Sequence, residues 1–137
     1  MSRIINPDSA GKERSRLTKS IVLAVRELAL QTEIDSESRD LAAFIVLALE
    51  KIAGTIDISV AAWEKRDYWV KADKFRMEWA WSGRLSKIMR EALRTDDWNV
   101  IAKAAAQVAG KLNKITVSPR NRRGKPWVGA WEVLRDH

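Results

Sequence analysis

An all-α bundle is the fold this chain predicts, and three observations predict it. Apolar residues recur at helical spacing through the first 112 of 137 residues. The segments between these runs are short and hold helix start and stop residues. The composition, 46% hydrophobic and 31% charged, is that of a chain that buries a core rather than one that stays disordered. A chain of this length most simply forms one domain, with about two-thirds of its unfolded surface buried.

Helix 1 is predicted from Pro7 or Asp8 to about Thr32. Proline suits the first helical turn, where its missing N–H costs nothing. Leu17, Ile21, Ala24, Val25 and Leu28 form its apolar face, with Lys12, Arg16, Lys19 and Arg26 opposite. Asp35-Ser36 offers an N-cap for helix 2. Leu41, Ile45, Leu49, Ile52, Ile56 and Trp63 make one stripe. From Leu41 to Leu49 the helix is apolar all round, which calls for neighbours on several sides. Ile56 to Val60 also alternates like a strand, but the helical stripe runs through it to Trp63. A break at Arg66-Asp67 precedes helix 3, which ends near Arg94. Its expected buried side is Val70, Met77, Trp81, Leu85, Ile88 and Ala92. Lys71 and Lys74 breach the division, and their stems would snorkel. Asp96 or Asp97 caps helix 4, which buries Trp98, Ile101, Ala105, Val108 and Leu112 and stops near Gly110 and Asn113.

The character then changes. Residues 113–126 hold two prolines, a glycine and five cations, a loop by composition. Trp127, Trp131 and Leu134 recur at i, i+4 and i+7, so a short terminal helix would dock on the body. The expected organisation is a helical bundle over residues 1–112, with residues 113–137 forming a basic, Trp-containing C-terminal extension of loop and short docking helix. Residues 34–66 carry a net charge of −2 and residues 67–95 a net +3, which favours helices 2 and 3 as neighbours.

Charge sets the functional expectation. The net charge is +7, with 25 Lys and Arg against 18 Asp and Glu. Such an excess attracts polyanions, nucleic acid first and anionic membrane surface second. The longest apolar stretch, Leu41 to Leu49, is far below the roughly 20 residues of a bilayer span. No N-terminal secretory signal is read, because the first apolar run begins only at Leu17 and is broken by charge. The chain has no cysteine, which excludes disulfides and thiolate zinc sites and fits a reducing cytoplasm. Its one histidine is His137, so Ser-His-Asp and Cys-His arrangements are excluded. No Gly-rich phosphate loop is present. The expectation is a protein without catalytic residues, metal or cofactor.

Four constellations remain. Arg120, Arg122, Arg123 and Lys125, followed by Trp127, suit a phosphate backbone and one stacked base, because guanidinium forks pair with phosphate oxygens; a solvated loop with an anchoring indole is the plainer alternative. Arg76, Arg84, Lys87, Arg90 and Arg94 fall within roughly 120° of the helix 3 wheel, either as a track for phosphates or as an ordinary wet face. Trp69 and Trp79 lie off the apolar stripe beside cations. Indoles so placed serve a protein or homo-oligomer interface, or pack within the fold. Glu50, Asp57 and Glu64, seven apart, are expected in salt bridges to a neighbouring helix rather than on a metal. The leading expectation is nucleic-acid binding without sequence readout. The alternative is an assembly module with Trp- and Arg-rich surfaces.

Overall fold

The computed structural model describes residues 7–117 and 124–136, with side chains from Ser9 onward. Five helices follow in order: α1 (Pro7–Leu30), α2 (Ser36–Lys65), α3 (Trp69–Arg94), α4 (Trp98–Lys111) and α5 (Ala130–Arg135). The first four form the bundle, and the fifth is short. The connections α1–α2, α2–α3 and α3–α4 are three to five residues long, and each joins helices that pack on one another.

Helix α2, 30 residues and about 45 Å at 1.5 Å per residue, is the central element. It packs on α1, α3 and α5, while α3 also packs on α4. That is why the stretch from Leu41 to Leu49 is apolar all round. Leu41, Ala42, Ala43, Ile45, Val46, Ala48 and Leu49 are buried, and Phe44 and Leu47 are partly so. Leu17, Ile21 and Ala24 cover α2 from α1, and Ile101, Ala104 and Val108 of α4 complete the core.

The ends are set by local chemistry. Asp35 caps α2, accepting from the Ser38 N–H at 3.0 Å. That bond to the ionised form holds its carboxyl below the usual carboxylate range. Asp97 caps α4 in the same way, at 3.3 Å from the Val100 N–H. The two three-residue connections each contain an aspartate in the left-handed region, Asp67 at φ 63° and Asp96 at φ 58°. Aspartate tolerates that conformation better than most residues. Asp96 also accepts from Arg39 at 3.0 Å and from the Trp98 indole at 2.8 Å, tying the start of α2 to the α3–α4 corner.

The buried face of α3 differs from the expected one. Trp81, Leu85 and Ala92 are buried as expected, but Val70 (74% exposed), Met77 (71%) and Ile88 (40%) face outward. Ala72, Ser82, Ser86, Met89 and Leu93 take their place. Three of these five are small, so the buried side of α3 is marked by Ala72, Ser82 and Ser86 as well as by large apolar residues. The two serine hydroxyls donate to the carbonyls of Trp79 (2.7 Å) and Gly83 (2.8 Å) on their own helix, so they bury without an orphaned polar group. Phe75 and Trp79 also turn inward and pack on the core.

The described C-terminal residues, 124–136, pack on the body and show no distinct extension. Helix α5 lies on α2, and Trp127, Ala130 and Leu134 are buried. The join is one carboxylate: Asp40 of α2 accepts from the backbone N–H groups of Gly129 (3.1 Å) and Trp131 (2.9 Å). Asp40 thus supplies, from another helix, the cap that α5 lacks in its own sequence. Gly129 sits at φ 82°, where a side chain would be strained. Among the described residues no helix is long and apolar enough to cross a membrane.

Candidate functional site

Two places on the surface concentrate chemistry, one at each end of α3. The first is a cleft of about 290 Å³ between the C-terminal half of α3 and α5. Lys87, Arg90, Glu91 and Arg94 line one side, and Trp131, Leu134 and Arg135 the other. Helical periodicity brings Lys87, Arg90, Glu91 and Arg94 onto one side of α3, and the Asp40 cap brings α5 across from them. The result is four cations and one acid around an indole, drawn from segments about 40 residues apart.

The cations in this cleft are not equivalent. Arg90 donates to Glu50 of α2 at 2.6 Å. Arg94 grips Glu91 through two nitrogens, its Nε at 3.0 Å. The side-chain hydrogen bonds of that pair hold Glu91 below its ordinary pKa and push Arg94 above its own. Lys87 and Arg135 are exposed and have no ion pair among the described residues. Trp131 is half-buried, and its ring meets no other aromatic or cation among the described residues.

Of the five residues of the α3 ridge, three are engaged with acids. Besides Arg90 and Arg94, Arg76 bonds Asp73 at 2.8 Å and Glu64 of α2 at 3.2 Å. Arg84 and Lys87 remain unpaired among the described residues. Glu50 and Glu64, two of the three acids in the expected line, thus bridge to α3, whereas Asp57 is exposed. These pairs are solvent-accessible, so solvent and salt screen them and each adds little to stability.

The second place is the α2–α3 corner. Tyr68 (54%), Trp69 (56%) and Val70 are exposed there, beside Lys65, Arg66, Lys71 and Lys74, and Met77 is exposed two turns further along α3. Asp67, Tyr68, Trp69, Val70, Lys71 and Lys74 line an open recess. Lys71 is bent back, its ammonium 4.9 Å from the centre of the Trp63 ring. Just inward lies a more buried assembly. The Arg14 guanidinium sits 4.8 Å from the Phe75 ring and 5.9 Å from Trp79, and it donates to the hydroxyls of Thr55 (3.2 Å) and Ser59 (3.4 Å). Burial lowers its pKa from the ordinary arginine value, and no carboxylate faces it among the described residues. The rings and hydroxyls replace a counter-ion.

The sequence-named indoles separate accordingly. Trp69 is exposed as expected. Trp79 is half-buried, stacked on Trp81 at 5.7 Å and tilted on Phe75, so its ring is occupied within the fold rather than offered to a partner. Trp127, expected to stack a base beside the basic loop, is 4% exposed, and its Nε1 is buried without a partner among the described residues. Trp127 lies in the turn before α5 and is core, whereas Trp131, on α5, is only partly buried. Arg120, Arg122 and Arg123 lie outside the described residues. Lys125 is exposed and 3.8 Å from Glu37. Arg14 and Arg135 went unnoticed in the sequence: Arg14 had no local signal, and Arg135 stood alone until α5 was placed. No metal-holding group of His, Cys, Asp and Glu occurs among the described residues.

Neither a family model, nor a curated protein, nor a solved structure matches this chain.

Proposed function

We propose that this protein is a non-enzymatic nucleic-acid-binding module that neutralises backbone phosphates and reads little or no sequence. One observation carries the reading: cations from α3 and α5, remote in sequence, converge around an indole in the α3–α5 cleft. Helix amphipathicity alone explains Arg84, Lys87, Arg90 and Arg94 on one side of α3. It does not explain Arg135 and Trp131 opposite them. The net charge of +7 supplies long-range attraction, and the cleft supplies a place for it to act. The basic segment with Arg120, Arg122, Arg123 and Lys125 adds phosphate partners to the same task. The test is purification without nuclease at low salt. Nucleic acid should co-purify, seen as raised 260 nm absorbance, and a high-salt wash should release it. Protein-only absorbance together with no binding to generic oligonucleotides at low salt would refute the proposal.

A second reading is favoured by the α2–α3 corner. Exposed Tyr68, Trp69 and Val70 at the corner, with Met77 exposed two turns further along α3, form the kind of apolar surface that assembly interfaces use. In this reading a second copy of the chain covers the corner. Sedimentation should then show a salt-tolerant oligomer that Trp69→Ala disperses; a monomer at every concentration counts against it.

A further inference from the structure

We infer that the α3–α5 cleft holds one unpaired nucleotide of a single strand, its base against Trp131 and its phosphate between Lys87 and Arg135. The inference rests on the nucleic-acid reading and narrows it to a ligand class. Size speaks first. At about 290 Å³ the cleft lies at the low end of small-ligand sites, enough for one base with its sugar and far too small for a duplex. The aromatic surface speaks second. Trp131 packs partly on the core and lines the cleft with four cations, and among the described residues neither a cation nor another aromatic ring stacks on it. A base has a flat face to meet that ring, and such stacking is indifferent to which base it is.

The platform is held in place. Trp131 has its own backbone N–H bonded to Asp40 at 2.9 Å, and buried Leu134 anchors the next turn of α5. A ring positioned beforehand loses little freedom on binding. The cations also divide the labour. Arg90 and Arg94 are held by Glu50 and Glu91 and build the wall. Lys87 and Arg135 have no such partner among the described residues and flank the indole from opposite elements. A backbone phosphate between them satisfies both. Because Glu91 is occupied by Arg94, the acid on the wall is screened from that phosphate.

The test compares oligothymidylate of about 12 nucleotides, within the range of single-strand site sizes, with its oligoadenylate duplex and with thymidine monophosphate, by fluorescence anisotropy and competition on the full chain. The single strand should bind more tightly than the duplex, and the mononucleotide much more weakly than either. Trp131→Ala should weaken single-strand binding roughly 5- to 150-fold, with Trp131→Phe retaining most of it. Circular dichroism checks the fold of each. The paired Lys87→Gln and Arg135→Gln changes, both on exposed side chains, carry the test independently of α5 packing. They should flatten the logarithmic salt dependence by about 0.7 per lost phosphate contact. Equal single-strand and duplex affinity with Trp131→Ala unaffected overturns the inference while the nucleic-acid reading stands. An unchanged salt slope in the double variant, or a mononucleotide that binds as tightly as the strand, also overturns it. No binding of either oligonucleotide at low salt overturns both readings.

Discussion

The two ends of α3 solve the same problem in opposite ways. Both have indoles beside lysine and arginine. At the N-terminal end the aromatic rings close on each other and on the chain's own cations: Trp63 meets Phe75 edge-on at 4.8 Å, Arg14 sits over Phe75 and Trp79, and Lys71 over Trp63. At the C-terminal end the cations are tied to carboxylates or left without an ion pair, and among the described residues no cation or other aromatic ring meets the partly buried Trp131. Aromatic–basic composition is therefore no guide to binding by itself. What matters is whether the fold uses up the ring faces and charges internally. The first end spends most of its capacity on cohesion and exposes Tyr68, Trp69, Val70 and Met77 only at its rim. The second keeps its capacity available.

The sharpest way to break this contrast is at Phe75. Phe75→Ala removes the edge contact with Trp63 and the nearer of the two rings under Arg14 together, and leaves a half-buried guanidinium with Trp79 and two hydroxyls. It should cost about 2–3 kcal/mol in urea unfolding while sparing oligonucleotide affinity. Asp40→Ala comes next. Losing the trans cap should cost about 1–2 kcal/mol, with amide protection lost first in residues 129–134 and oligonucleotide binding weakened although no cleft cation has changed. Equal damage at both ends from either change would erase the distinction. Trp69→Ser with Met77→Ser should alter stability by under about 0.5 kcal/mol, because both side chains are exposed, and its effect should be confined to self-association measured by sedimentation.

The smallest expected effect is electrostatic. Glu91 is held below its ordinary pKa by Arg94, so the folded state gains from its ionised form above the unfolded value of about 4. That gain disappears as pH falls through the lowered folded value. The thermal midpoints of wild type and Glu91→Gln should differ slightly near neutrality and converge in acid. A gap that widens on acidification would mean the pair is not formed.

Much of the architecture was readable from residue order. The Asp35 and Asp97 caps, the break at Arg66-Asp67, the α2 stripe and the helical path through Ile56 to Val60 all depend on neighbours within a turn or two. The face of α3 was not, because Ser82 and Ser86 are polar in sequence and become core only where α2 packs against their helix. Nor was the choice between Trp127 and Trp131: spacing of four places both on one helical side, but α5 begins only at Ala130, so Trp127 lies outside it in a turn and is the buried one. Arg14 and Arg135 acquire meaning from partners 40 or more residues away. The α3 ridge was visible as a pattern, and bridges from Glu50 and Glu64 to a neighbouring helix were expected; which cations they take, and that Asp57 takes none among the described residues, is a matter of register between helices.

Helix α5 has six residues, too few to persist in water unaided. Half of the cleft therefore exists only while that segment is seated. Any ligand that spans the cleft must favour the seated state by its own binding energy, and seating must raise affinity for the ligand by the same factor. The carboxylate of Asp40 sits at the fulcrum of that equilibrium. For such a ligand, occupancy of the cleft and the seating of α5 are one thermodynamic variable, adjustable from either side.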